Sequence, residues 1–214
     1  MIFNFKDQHL HLHHHSAIFW EEKQTLLLAD LHLGKVKHFR KSGLAVPADA
    51  SNENWDKLIA LLLDFQPRKV YFLGDLFHST YNEVWEELQD LMQQFSSIRF
   101  VLVKGNHDIL HQQRYEETAM EVVDELFEMP FWLTHHPQEA VKDGFYNLAG
   151  HIHPSVHLKG VGRQSLRLPC FYFGTQRAIL PAFGAFTGMA KVQAHEGDRV
   201  FVIVEDKVVE VSYA

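Results

Sequence analysis

Five apolar runs that each end in Asp, Asn or His constrain this chain more than any other feature. Val101-Leu102-Val103 leads through Lys104-Gly105 into Asn106-His107-Asp108. Such a run reads as a buried strand delivering its C-terminal end into a site, because open α/β sheets place ligands there. Leu26-Leu27-Leu28-Ala29 leads likewise into Asp30-Leu31-His32, and Val70-Tyr71-Phe72-Leu73 into Gly74-Asp75. Phe131-Trp132-Leu133-Thr134 leads into His135-His136, and Tyr146-Asn147-Leu148-Ala149-Gly150 into His151-Ile152-His153.

Between these runs the periodicity alternates. Trp55, Leu58, Ile59, Leu62 and Leu63 stand at helical spacing within 49–64, and Pro67 stops the segment. Val84, Leu88, Leu91, Met92 and Phe95 repeat that spacing over 83–95. Strands are expected at 25–29, 69–73 and 98–103, so the first half predicts parallel strands with right-handed helical crossovers. From Phe131 onward no strong helix is visible. Short strands are expected at 131–134, 144–148, 155–159, 165–168, 170–173, 178–180, 200–204 and 208–213, forming a mostly antiparallel sheet packed on the first. The whole predicts an α/β protein, with residues 1–214 as one domain.

Composition narrows the class. Apolar residues make up 46% and charged residues 22% of 214, ordinary for a globular protein. The formal charge of -7 argues against a broad basic surface that would coat nucleic acid. It leaves phosphate substrates open, since bound divalent ions would reverse the local charge. A single cysteine, Cys170, rules out an internal disulfide and reads as a small buried hydrophobe. No apolar run approaches the ~18 to 20 residues of a membrane span, and no signal peptide is visible, so a cytoplasmic location is expected. The sequence leaves open whether the chain forms a homo-oligomer.

Two clusters need separate readings. His9, His11 and His13 alternate with Leu10 and Leu12 ahead of His14 and His15. This invites a metal-binding reading, but the alternation favours a strand with one solvated face, outside the active site. The basic stretch of Lys35, Lys37, Arg40 and Lys41 follows Asp30 and His32. It is either a solvated face or, through Lys35 or Arg40, a contact for substrate phosphate.

The strand-end residues together are Asp30, His32, Asp75, Asn106, His135, His151 and His153. Two carboxylates, an amide oxygen and four imidazoles suit Zn, Mn or Fe better than Mg or Ca. Seven ligands exceed one ion's need and suit two ions sharing a carboxylate. That points to hydrolysis of a phosphoester by in-line attack of an activated water. The non-ligand His107 would bind a phosphoryl oxygen and protonate the leaving alkoxide, with Asp108 orienting it.

In order and over most of the chain, Asp30-x-His32, Gly74-Asp75, Gly105-Asn106-His107-Asp108, His135 and Gly150-His151-x-His153 resemble the calcineurin-like metallophosphoesterase superfamily. The resemblance implies a four-layer α-β-β-α sandwich, two central mixed sheets flanked by helices, with a binuclear metal site at the strand ends. It assigns Asp30, His32 and His153 to one ion, Asn106, His135 and His151 to the other, and Asp75 to both. His136 stands where relatives often carry glycine, so the choice between His135 and His136 stays open. A narrower resemblance rests on Ala29-Asp30-Leu31-His32-Leu33-Gly34-Lys35, His38-Phe39-Arg40, Gly43-Leu44-Ala45-Val46-Pro47, Gly74-Asp75-Leu76-Phe77-His78-Ser79 and Gly150-His151-Ile152-His153-Pro154. These are similar to the bacterial PdeM family, ligase-associated DNA damage response endonucleases. That implies a phosphodiester substrate in DNA, two transition ions with Mn favoured, and a DNA ligase, a helicase and an exonuclease-like protein as partners.

His78 occupies a place where many phosphatases of the superfamily carry an acid, which argues against protein-phosphatase activity. It either faces substrate or packs in the core. The rival readings are a phosphatase of small monoesters or nucleotides, and a non-catalytic scaffold. Seven competent side chains speak against the scaffold.

Overall fold

Leu26, Leu27 and Leu28 alternate between two separate cores, and that alternation sets the layer order of the molecule. The computed structural model describes residues 1–34, 50–77, 83–109, 115, 117–159, 165–185 and 187–211. Its first sheet runs in chain order through β1 (Ile2–Phe5), β2 (Gln8–His13), β3 (Ala17–Trp20), β4 (Thr25–Leu28), β5 (Lys69–Leu73), β6 (Arg99–Val103) and β7 (Met120–Val123). The hairpin-linked β1 to β4 are antiparallel, and β4 to β7 are parallel. Helix α1 (Ala50–Phe65) connects β4 to β5, and α2 (Glu83–Gln94) connects β5 to β6.

Every second residue of the first sheet faces these helices. Leu26, Leu28, Val70, Phe72, Phe100 and Leu102 pack with Leu58, Leu61, Leu62, Trp85, Leu88 and Leu91. The spacing-based expectation for α1 needs one correction. Ile59 and Leu63 are 37% and 59% exposed, while Leu61, which that expectation passed over, is buried. The apolar stripe is therefore narrower and rotated. Helix α1 ends where Gln66 takes a left-handed conformation (φ 45°) ahead of Pro67.

The intervening residues, Leu27, Tyr71, Leu73, Val101 and Val103, face the second sheet and pack on Phe131, Leu133, Tyr146, Leu148, Phe171 and Phe201. This second sheet comprises β8 (Leu126–Glu128), β9 (Phe131–Thr134), β10 (Tyr146–Ala149), β11 (Pro154–Lys159), β12 (Ser165–Phe173), β13 (Arg177–Ile179), β14 (Ala190–Lys191), β15 (Arg199–Val204) and β16 (Lys207–Val211). Its order is β14-β11-β12-β13-β10-β9-β8, with β15 beside β12 and β16 outside β15. It is more mixed than the sequence suggested, because β9 pairs β10, β10 pairs β13, and β11 pairs β14 in parallel. The parallel pairs aim the ends of β9 and β10 the same way.

Two expected strands, 165–168 and 170–173, are one. Residues up to Pro169 pair with β11, and those from Cys170 pair with β15. A residue without an N–H sits where the strand changes partner. Over the outer face of this sheet the described residues place no helix. Val156, Cys170, Val200 and Val202 pack there with Val192, Ala194 and Val211. Burial pushes the Cys170 thiol up to about 12, consistent with an inert core residue. Among the described residues, no helix is long and apolar enough to cross a membrane.

Leu27 is fully buried between the sheets, so Leu27→Ala should destabilise the protein by about 2–5 kcal/mol. Leu63→Ala, on the exposed side of α1, should change stability by less than about 0.5 kcal/mol. Urea denaturation followed by circular dichroism checks both.

Candidate metal centre

The C-terminal ends of β4, β5, β6, β9 and β10 meet along one edge of the sandwich. Beyond the strands the pairing continues through the loops, with Asp30 N donating to Gly74 O (3.1 Å), His32 N to Asp75 O (2.9 Å) and Leu33 N to Leu76 O (2.8 Å). Two contacts stitch the sheets together there. His151 N donates to Asp30 Oδ2 at 2.8 Å, and His135 Nδ1 lies 2.9 Å from Leu73 O. Asp30, His32, Asp75 and His135 are buried as a result, at 0%, 4%, 3% and 2% exposure. His151 and His153 are half-buried, and Asn106 and His107 are exposed at the mouth.

A carbonyl only accepts, so His135 Nδ1 carries the proton and Nε2 presents its lone pair. That atom faces Asn106 Oδ1 at 3.1 Å, His151 Nδ1 at 3.2 Å and Asp75 Oδ1 at 3.4 Å. The same logic applies to His153, whose Nδ1 donates to Gly188 O at 2.9 Å while Nε2 lies 3.4 Å from Asp30 Oδ1. Asp30 Oδ1 is buried without a hydrogen-bond donor. Lone pairs converging on a buried carboxylate oxygen are what a divalent cation satisfies, and an uncompensated buried charge is otherwise costly. Burial, and then the neighbouring imidazoles, hold His151 and His136 below the ordinary histidine pKa. They stay neutral at neutral pH, as ligation requires.

At this edge three sets of ligand atoms lie within 4.8 Å of one another: Asp30, His32 and His153; Asp30, Asp75 and His135; His135, His136 and His151. The donor chemistry therefore fits transition ions. Of the two candidates after β9, His135 points inward, and the exposed His136 adds an imidazole at the rim, its ring 4.0 Å from that of His151.

The backbone is bent to make this possible. Asp30, His32, Asp75, His151 and His153 all have left-handed φ values, between 47° and 68°. Such residues cost about 1–3 kcal/mol each and cluster at functional sites. Gly74 (φ 82°) is needed for space as well, since a Cβ there would lie 2.1 Å from His135 Nδ1.

Asp108, expected to orient His107, accepts hydrogen bonds from three backbone N–H groups. Its Oδ1 accepts from Leu76 N (3.0 Å) and Phe77 N (3.4 Å), and its Oδ2 from Gly105 N (2.9 Å). It braces the β6 loop against the β5 loop, and burial pushes its carboxyl up to about 6 against these donors. His107 stands with its ring 5.6 Å from that of His32, and its backbone N–H donates to Asp75 Oδ1 at 2.9 Å. Arg40 and His78, together with Lys35, Lys37 and Lys41, lie outside the described residues.

Two positioning residues escaped the sequence reading. Asn54, buried on α1, donates to Leu31 O (3.4 Å) and accepts from Ala185 N (3.1 Å), tying the 181–185 segment to the Asp30 loop. An amide on the buried side of a helix was the available signal. Asn147 accepts from Gln138 N (3.0 Å) and donates to Thr134 Oγ1 (2.9 Å), fixing the turn that carries His135. A cavity of about 420 Å³ opens beside His153, lined also by His14, Ser16, Lys57, Phe183 and Thr187.

Gly74→Ala should leave the fold intact but displace the His135 ring, weakening divalent-metal affinity by about 10- to 100-fold. Metal titration beside an unchanged circular dichroism spectrum would show it.

The Calcineurin-like phosphoesterase family matches residues 23–182. Among solved structures, a nuclease from Pseudomonas putida, MPE, aligns over 99% of both chains with 29% identity and a TM-score of 0.80. Yfce, a phosphoesterase from E. coli, aligns over 87% of this chain and 97% of its own, with 12% identity and a TM-score of 0.43. No curated protein sequence matches. The family model spans three-quarters of the sequence, and the chain belongs to the calcineurin-like phosphoesterase family.

Proposed function

We propose that this protein, as one domain spanning residues 1–214, is a binuclear-metal phosphodiesterase that cleaves DNA. The observation that carries the reading is the gathering of His32, Asn106, His135, His151 and His153 around the buried Asp30–Asp75 pair, with an exposed histidine at its mouth. Likeness to the Pseudomonas putida nuclease over nearly the whole of both chains supports a nucleic acid as the substrate class. The cavity beside His153 supports a diester, because it leaves room for a second esterified group.

In this reading Asp30, His32 and His153 hold one ion, Asn106, His135 and His151 hold the other, and Asp75 is shared. Two such ions, with manganese the favoured metal, lower the pKa of bound water and neutralise phosphoryl charge. The chain itself does the rest. Asp108 holds the β6 loop so that Asn106 and His107 keep their places. The His107 imidazole contacts a phosphoryl oxygen and passes its proton to the leaving oxygen. Arg40 and His78 belong to the substrate contacts. A cytoplasmic setting in DNA repair, with a DNA ligase and a helicase as partners, is the matching context.

Wild-type protein should hold about two ions after dialysis against Mn(II). Asp75→Asn should weaken both, and Asn106→Ala chiefly one, by elemental analysis. A substrate panel of aryl and alkyl phosphodiesters, phosphomonoesters, and single- and double-stranded DNA tests the activity. Preference for monoesters would overturn it.

His107→Ala should leave metal content unchanged. A nitrophenolate departs without a proton, whereas an alkoxide needs one, so the loss in kcat/KM should approach ~10² to 10⁴ only for alkyl esters and DNA. Equal losses along a leaving-group series would reduce His107 to a phosphate contact.

A further inference from the structure

The end of β2 and the turn into β3 carry three histidines that the phosphoester chemistry does not use. The expected strand is present, with Leu10 and Leu12 in the core. Two of its histidines are engaged by surface carboxylates, His9 with Glu22 at 2.5 Å and His11 with Glu21 at 2.7 Å. The next three behave differently. His13, His14 and His15 lean together, with ring centroids 4.2, 5.0 and 4.1 Å apart. One nitrogen from each falls within 4.8 Å of the others. All three are half-buried, and Phe65 at the end of α1 backs His13 at 5.7 Å.

We infer that His13, His14 and His15 form a further transition-metal site, separate from the strand-end centre. Imidazoles sharing one ion stand at about the spacing these rings already have. The charges of Lys57 and, in the opposite sense, Asp64 and Glu53 on α1 act on His15. Glu53 and His14 line the same cavity, where the Glu53 carboxylate is paired with Lys57. The His15 N–H donates to His13 Nδ1 at 3.2 Å, a long hydrogen bond that ligation exchanges for a metal bond when the ring turns.

Ligand type separates this site from the other. A three-imidazole set selects Zn, Ni, Co or Cu, and discriminates against Mn and Mg, which prefer oxygen. The strand-end centre, with carboxylate and amide oxygens, accepts Mn as well as Zn. Because His14 shares a cavity with His153, the site faces the space beside the strand-end centre.

The test compares stoichiometries. Metal-free full-length protein is loaded with Mn(II) or with Zn(II), dialysed, and analysed for metal. Zn should exceed Mn by about one equivalent per chain, and His13→Gln/His15→Gln should lose that excess alone. Equal Zn and Mn contents, or an excess that survives the double substitution, overturns the site. Should the double variant fail to fold, the wild type suffices: the His15 amide and the three ring resonances should shift on adding Zn(II) and stay put with Mg(II). Unmoved resonances likewise overturn it. If the strand-end centre holds nothing, the extra Zn equivalent still stands or falls by the same measurements.

Discussion

Two carboxylates buried at the meeting point of two sheets set the terms for this structure. Asp30 and Asp75 are 0% and 3% exposed, and no Lys or Arg among the described residues reaches either one. Their immediate compensation comes from backbone N–H groups, of His151 for Asp30 and of His107 for Asp75, and from imidazoles at 3.4 to 3.9 Å. Burying charge on those terms is unfavourable unless a cation joins it. The left-handed loops, the close approach at Gly74 and the Asp108 brace all serve to hold these acceptors where water would not leave them.

Much of the centre was legible in the sequence because the same physics repeats five times. A fully buried parallel strand is an uninterrupted apolar run, and its end is where polarity returns. Asp30, Asp75, Asn106, His135 and His151 could be picked out on that basis. What escaped were groups whose role depends on a distant partner. Asn54 reads as an ordinary helical polar residue until Leu31 O and Ala185 N are seen on either side of it. Ile59 and Leu63 fit a helical stripe as well as Leu61 does, and only the sheet beneath decides which faces inward. Pro169 looked like a strand terminator because the exchange of β11 for β15 as partner has no local signature.

The histidine-rich N-terminal stretch shows a similar split between local pattern and placement. Alternation identified the β2 strand and its solvated side, where His9 and His11 pair with Glu22 and Glu21. It could not foresee that the following turn would bring His14 to a cavity shared with His153. Those residues are 139 positions apart, and nothing in the spacing of either motif refers to the other.

The contact between the His151 N–H and Asp30 Oδ2 spans 121 residues, and that between His135 and Leu73 spans 62. Neither half of the centre can assemble from its own sheet. The first sheet alone holds Asp30, His32, Asp75 and Asn106, and the second alone holds three histidines. Ligand geometry therefore arises only once the inter-sheet core has closed, late in any sequence of events dominated by local contacts. An ion bound there would discriminate between folding states: a nascent or half-docked chain offers scattered weak donors, and only the finished sandwich presents a chelate.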